Sequence, residues 1–72
     1  MLEPETSLPA LHPEDIKAGL RKRGSSLSKI ARSLGLHRTT ISNVLYGRQS
    51  RRVRIAIAQQ LGMKPEQLWP NL

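Results

Sequence analysis

The sequence predicts an all-α fold, a compact bundle of four to five short helices. Three observations carry that expectation. Glycines at 24, 35, 47 and 62 each follow a segment of helical length, and glycine just past a helix is the usual terminator. Within those segments the apolar residues recur at steps of three and four. No segment alternates at period two for long enough to argue for a strand.

The first element is expected over Pro13 to Arg23. Pro13 suits a first helical turn, where its missing N–H costs nothing. Glu14 and Asp15 sit at the positive end of the helix dipole, and Arg21, Lys22 and Arg23 at the negative end. Ile16 and Leu20 share a face, and Gly19 weakens the middle. The second element is Leu27 to Leu34, with Ser26 as N-cap and Leu27, Ile30, Ala31 and Leu34 as apolar positions. The third is Arg38 to Tyr46, with His37 a poor N-cap and Ile41, Val44 and Leu45 facing inward. The fourth runs from Arg51 to Leu61, with Val53, Ile57 and Leu61 at four-residue steps and Ala58 beside them. A short fifth, Pro65 to Trp69, is opened by one proline and stopped by Pro70. Residues 13–72 are therefore expected to form one domain. Residues 1–12, with Pro4, Pro9, Glu3 and Glu5 and no sustained periodicity, are expected to form a mobile arm.

Size and composition exclude several function classes. A chain of 72 residues without cysteine has no disulfide and no Cys-ligated zinc to staple its core. Phe is absent, so the core must be aliphatic. A domain this small has little room for an enclosed substrate pocket, and an enzyme is not expected. The serines near Ser25 have no general-base partner. His12 and His37 lie 25 residues apart with no acid pair nearby, so neither a metal nor any other cofactor is expected. No apolar run reaches membrane-spanning length, and the first ten residues lack the pattern of a secretory leader. A cytoplasmic protein is the expectation.

Charge points to a partner. Twelve Lys and Arg oppose five Asp and Glu, a net charge of +7. No acid lies between Ile16 and Pro65, the stretch that carries all twelve basic residues. So one-sided a domain repels itself unless it meets a polyanion, nucleic acid or anionic lipid. A lipid binder needs one helix with an apolar face opposite lysines, whereas here the apolar faces are consumed by a core. An RNA binder needs exposed aromatics for stacking, and only Tyr46 is expected outside.

The segment Leu27 to Gly47, LSKIARSLGLHRTTISNVLYG, narrows the choice. A helix of eight residues ends at Gly35, Leu36 and His37 link, and a second helix follows. Ala31 is small where the two helices cross, Gly35 supplies the sharp turn, Leu36 tucks inward, and Ile41 and Val44 pack the second helix on the first. Together these define a helix-turn-helix, whose second helix enters the major groove of double-stranded DNA.

Ala31, Gly35, Leu36, Ile41 and Val44 resemble the helix-turn-helix signature of the lambda-repressor-like fold. DIKAGLRKRGSSL, the motif itself and IAQQLGMKPEQLWP are similar to the Ner family of small phage regulators and their bacterial Nlp relatives. The likeness covers about residues 12–70. It implies a DNA-binding transcriptional regulator, a repressor, with no ligand domain and no small-molecule effector. Leu27 stands where many lambda-type repressors carry a Gln that grips a phosphate.

By position in the motif, Arg38, Thr39 and Asn43 match the base-reading positions of the fold. Arg38 can fork onto guanine O6 and N7, Asn43 can pair with adenine, and Thr39 can meet a thymine methyl or offer its hydroxyl. Thr40, Ser42 and Tyr46 are assigned to phosphate or flanking contacts. Ser26 and Ser28 lie at the start of the second helix, and Lys29 and Arg32 on its outer side, all facing backbone. Arg48, Gln49, Ser50, Arg51 and Arg52 form a basic loop beside the phosphates, with Arg54 as its extension. Lys17, Arg21, Lys22 and Arg23 complement the end of the first helix and are not assigned to DNA. Trp69 is read as a core or lid residue over the first and fourth helices.

A homodimer is expected at least on DNA, and whether it forms beforehand stays open. The alternative function is the DNA-binding antitoxin of a toxin–antitoxin pair, with the arm to His12 as a short candidate toxin-binding segment.

Overall fold

The computed structural model describes residues 9–70. Five helices follow in order: α1 Pro13–Lys22, α2 Leu27–Leu34, α3 Arg38–Leu45, α4 Arg51–Leu61 and α5 Pro65–Leu68. No strand occurs among the described residues. The expected all-α bundle is the observed one, and α2 and α4 begin and end where their sequences place them. Three ends are shorter by one residue: Arg23, Tyr46 and Trp69 are the C-caps of α1, α3 and α5 rather than members of them.

Local chemistry sets these bounds. The hydroxyl oxygen of Ser26 accepts from the Lys29 amide at 3.1 Å, and that of Ser50 from the Val53 amide at 3.4 Å. Each answers one of the donors that a helix leaves unpaired in its first turn. His37 makes no side-chain cap at α3. His12 does cap α1, its Nδ1 accepting from the Glu14 amide at 3.1 Å. At the far end of α2, Gly35 takes φ 70°. Its amide reaches the Arg32 carbonyl at 3.3 Å, and the Leu36 amide reaches that of Ala31 at 2.9 Å. A Cβ on Gly35 would meet nothing within 4 Å, so backbone sign rather than space requires glycine there.

The core is aliphatic, as composition dictates, and closed by one aromatic. Ile16 and Leu20 of α1, Ile41, Val44 and Leu45 of α3, Val53 and Ile57 of α4 and Leu68 of α5 are fully buried. Ala31 is buried on α2, and Leu34 and Leu36 pack half-buried against the same cluster. Gly19 has a packing reason: a Cβ there would sit 3.0 Å from Cδ2 of Leu61, so α1 and α4 approach closely at that point. Trp69 is 2% exposed.

Arg54 corrects one expectation. It does not extend the basic loop outward. It is 7% exposed, and its guanidinium carbon lies 5.4 Å from the centroid of the Trp69 ring. Contact with the π-face holds this cation on the inside of α4, although Nε and Nη2 lack hydrogen-bond partners among the described residues. Of the arm expected over residues 1–12, the first eight lie outside the described residues. The Ala10 amide donates to the Leu68 carbonyl, at 2.6 Å, where the chain enters the domain.

Candidate nucleic-acid interface

The motif's second helix, α3, divides into two faces. Ile41, Val44 and Leu45 have no exposed surface, while Arg38, Thr39 and Asn43 are exposed. The three residues expected to read bases therefore stand outside, on a helix whose other side is anchored in the core. Thr40 and Ser42 are half-buried, between the two faces. Tyr46 is 55% exposed at the end of α3.

Arg38 has neighbours that the sequence did not assign to DNA. A cleft of about 160 Å³ is lined by Lys17 and Arg21 of α1, Ser26, Leu27 and Ser28 around the start of α2, and Arg38 at the start of α3. Three cations and two hydroxyls converge there, and no acid lines it. The first amides of α2 add partial positive charge. The cleft is thus built to attract an anion. Lys17 and Arg21 are four apart on α1, which places them on one face, so a spacing signal existed. Their meeting with Arg38 depends on how α1 packs and is not a local property.

Beside the cleft lies the acid that tempers it. Oε2 of Glu14 accepts from Nζ of Lys17 at 3.2 Å and from the Tyr46 hydroxyl at 3.4 Å. The Lys17 ammonium also sits 5.6 Å from the Tyr46 ring centroid. The Lys17 hydrogen bond and charge hold the Glu14 carboxyl below the ordinary glutamate value, and the same bond holds Lys17 above the ordinary lysine value. Both stay charged at neutral pH. Tyr46, at the end of α3, is thereby tied to the first turn of α1.

The remaining basic residues differ in what they touch. Arg32, Arg48 and Arg51 are exposed, as is Gln49. Lys29 is exposed, but its ammonium donates to the Gly24 carbonyl at 2.7 Å. Arg52 is exposed, and its Nη2 donates to the Leu34 carbonyl at 3.0 Å. Ser26 and Ser50 spend a lone pair as caps and keep a hydroxyl proton to donate. Among the described residues no His, Cys, Asp or Glu group has the makings of a metal site. No helix there is long and apolar enough to cross a membrane.

The family model described as winged helix-turn-helix DNA-binding matches residues 10–71. The chain belongs to that family. The described part of the matched region holds helices joined by turns and loops and no strand, so the helix-turn-helix is the part of the family's description that its geometry displays. Over 60 residues the chain is 43% identical to a negative regulator of transcription from Escherichia phage D108, spanning 83% of this chain and 81% of that protein. Over 60 residues it is 42% identical to the negative regulator of transcription from Escherichia phage Mu, spanning 79% of that protein. It is also 42% identical to the sugar fermentation stimulation protein B of Escherichia coli strain K12, where the match covers 64% of the longer relative. The Ner-type resemblance read from the motif agrees with these matches.

Proposed function

We propose that the protein is a repressor that binds a specific double-stranded DNA site and lays α3 in the major groove. The observation that carries this reading is the division of α3, with Ile41, Val44 and Leu45 wholly inside and Arg38, Thr39 and Asn43 outside. A helix anchored on one face can present the other to base edges without moving. The names of the two phage relatives support repression as the outcome.

In this reading Arg38, Thr39 and Asn43 meet base edges. The phosphate backbone passes the cleft beside Ser26 and Ser28, where Lys17 and Arg21 meet one phosphate. Arg48 and Arg51 hold the strand on the other side of α3, and Thr40, Ser42, Tyr46, Lys29 and Arg32 flank it. A second copy occupies a second half-site about one helical turn away, giving a two-fold assembly on DNA. The protein acts by binding alone, in the cytoplasm at the nucleoid, without a small-molecule effector.

Selection of binding sites from random duplexes tests this directly. The expected result is a palindromic consensus, and a reporter carrying it downstream of a promoter should fall silent when the protein is supplied. Uniform binding to all duplexes would overturn the sequence-specific reading.

A further inference from the structure

Arg52 is the second residue of α4, in the basic run that follows α3, yet its guanidinium is turned to another task than DNA. Nη2 donates to the carbonyl of Leu34, the last residue of α2, at 3.0 Å. The carbonyls just before it are served locally, that of Ala31 by the Leu36 amide and that of Arg32 by the Gly35 amide. A cation at a helix C-terminus also meets the negative end of the dipole. The bond joins residues 18 apart, and everything between them is the turn, α3 and the basic loop. One polar contact therefore closes a ring around the whole reading helix.

We infer that Arg52 is a positioning residue: through the Leu34 carbonyl it fixes where α3 stands, and so sets base specificity without gripping a phosphate itself. The apolar face of α3 resists its leaving the core, but packing by Ile41, Val44 and Leu45 is non-directional. A hydrogen bond from α4 to the last carbonyl of α2, where the turn into α3 begins, is directional and defines the entry of α3. Loosening it lets Arg38 and Asn43 miss bases by a fraction of an ångström, while long phosphate-binding side chains adapt. The inference rests on the proposed reading of α3.

The test compares the full chain with Arg52→Ala and Arg51→Ala, using the duplex that wild type selects and a scrambled duplex of equal length. Affinities are measured over a series of salt concentrations, well below each variant's melting temperature. Arg52→Ala is expected to lower the ratio of specific to scrambled affinity about three- to tenfold, a loss of the size of one hydrogen bond, with the salt slope unchanged. Arg51→Ala should lower the slope by about one and leave the ratio alone. Amide exchange at Gly35 to Arg38 should quicken in Arg52→Ala only.

A slope reduced by about one with the ratio intact in Arg52→Ala would make Arg52 a phosphate clamp and overturn the inference. A lowered melting temperature with unchanged ratio would make it merely structural, and also overturns it. Failure of the proposed function looks different: wild type itself would then show a ratio of one.

Discussion

Replacing Arg38 by Ala separates two roles that the structure brings within one side chain's reach. Arg38 opens α3, where reading helices enter the groove, and it also lines the cleft with Lys17 and Arg21. Arg38 and Asn43 are five residues apart, about 140° in direction and about 7.5 Å along the axis. That rise spans about two base-pair steps, so the two side chains address different pairs. A bidentate Arg–guanine contact discriminates by about 1–3 kcal/mol, or about five- to 150-fold in affinity. Arg38→Ala should therefore lose that factor on the selected site and erase preference at one position per half-site. Affinity for scrambled DNA should fall much less, because Lys17, Arg21, Arg48 and Arg51 remain. Asn43→Ala should flatten a different position. Binding-site selection on wild type and both variants at one fixed salt concentration checks this. If Arg38→Ala keeps the full consensus and weakens every duplex alike, Arg38 belongs to the cleft's phosphate, and the reading face has been misplaced.

The other predictions concern the frame and the field. Ala31→Leu should overpack the α2–α3 crossing at a buried position and cost about 1–3 kcal/mol, seen as a lower melting temperature by circular dichroism. Gly35→Ala should cost about 1–2 kcal/mol in the same assay through positive φ alone, since no neighbour blocks a Cβ. If about five phosphates per protomer are neutralised, log K should fall against log salt with slope about −4 to −5, and Arg48→Ala with Arg51→Ala should remove about two from it. Glu14→Gln should raise affinity for all DNA by freeing Lys17. Carboxyl NMR should show Glu14 titrating below the ordinary glutamate value. The stability its ion pair contributes is present above that ordinary value and lost as pH falls through the depressed one.

The fold was legible where residues decide structure within a few positions. Ser26 and Gly35 bound α2, and Gly62 ends α4, because capping is a contact within one turn, whereas Ser50, read as part of the basic loop, is the N-cap of α4. The last residue of α3 was not, since Tyr46 caps it in an ordinary conformation and carries no punctuation. The outer face of α3 was also legible, as the complement of Ile41, Val44 and Leu45. What local pattern could not provide is which helix lies next to that face. Lys17 and Arg21 border Arg38 only because α1 packs where it does. Arg54 had a signal that charge obscured: it lies four residues before the buried Ala58, on an inner side of α4, and a guanidinium stacked on Trp69 can be kept there.

These placements change what the charge of the sequence means. Twelve basic residues suggest a strong, undirected attraction to DNA, but the fold withdraws several of them. Arg54 is buried against Trp69, Lys29 and Arg52 donate to the carbonyls of Gly24 and Leu34, and Lys17 lines the cleft with part of its charge offset by Glu14. Of the eight other basic residues, Arg21, Arg32, Arg38, Arg48 and Arg51 lie on α3 or on the helices and loop around it, while Lys22, Arg23 and Lys64 lie elsewhere in the sequence. Counterion release counts phosphates neutralised and not formal charge, so a slope of about −5 rather than about −11 is consistent with a domain of this composition. The cations spent on the fold hold α1, α2 and α4 in register. That register is what lets a helix of eight residues, α3, present Arg38 and Asn43 to particular base pairs rather than to any anionic surface.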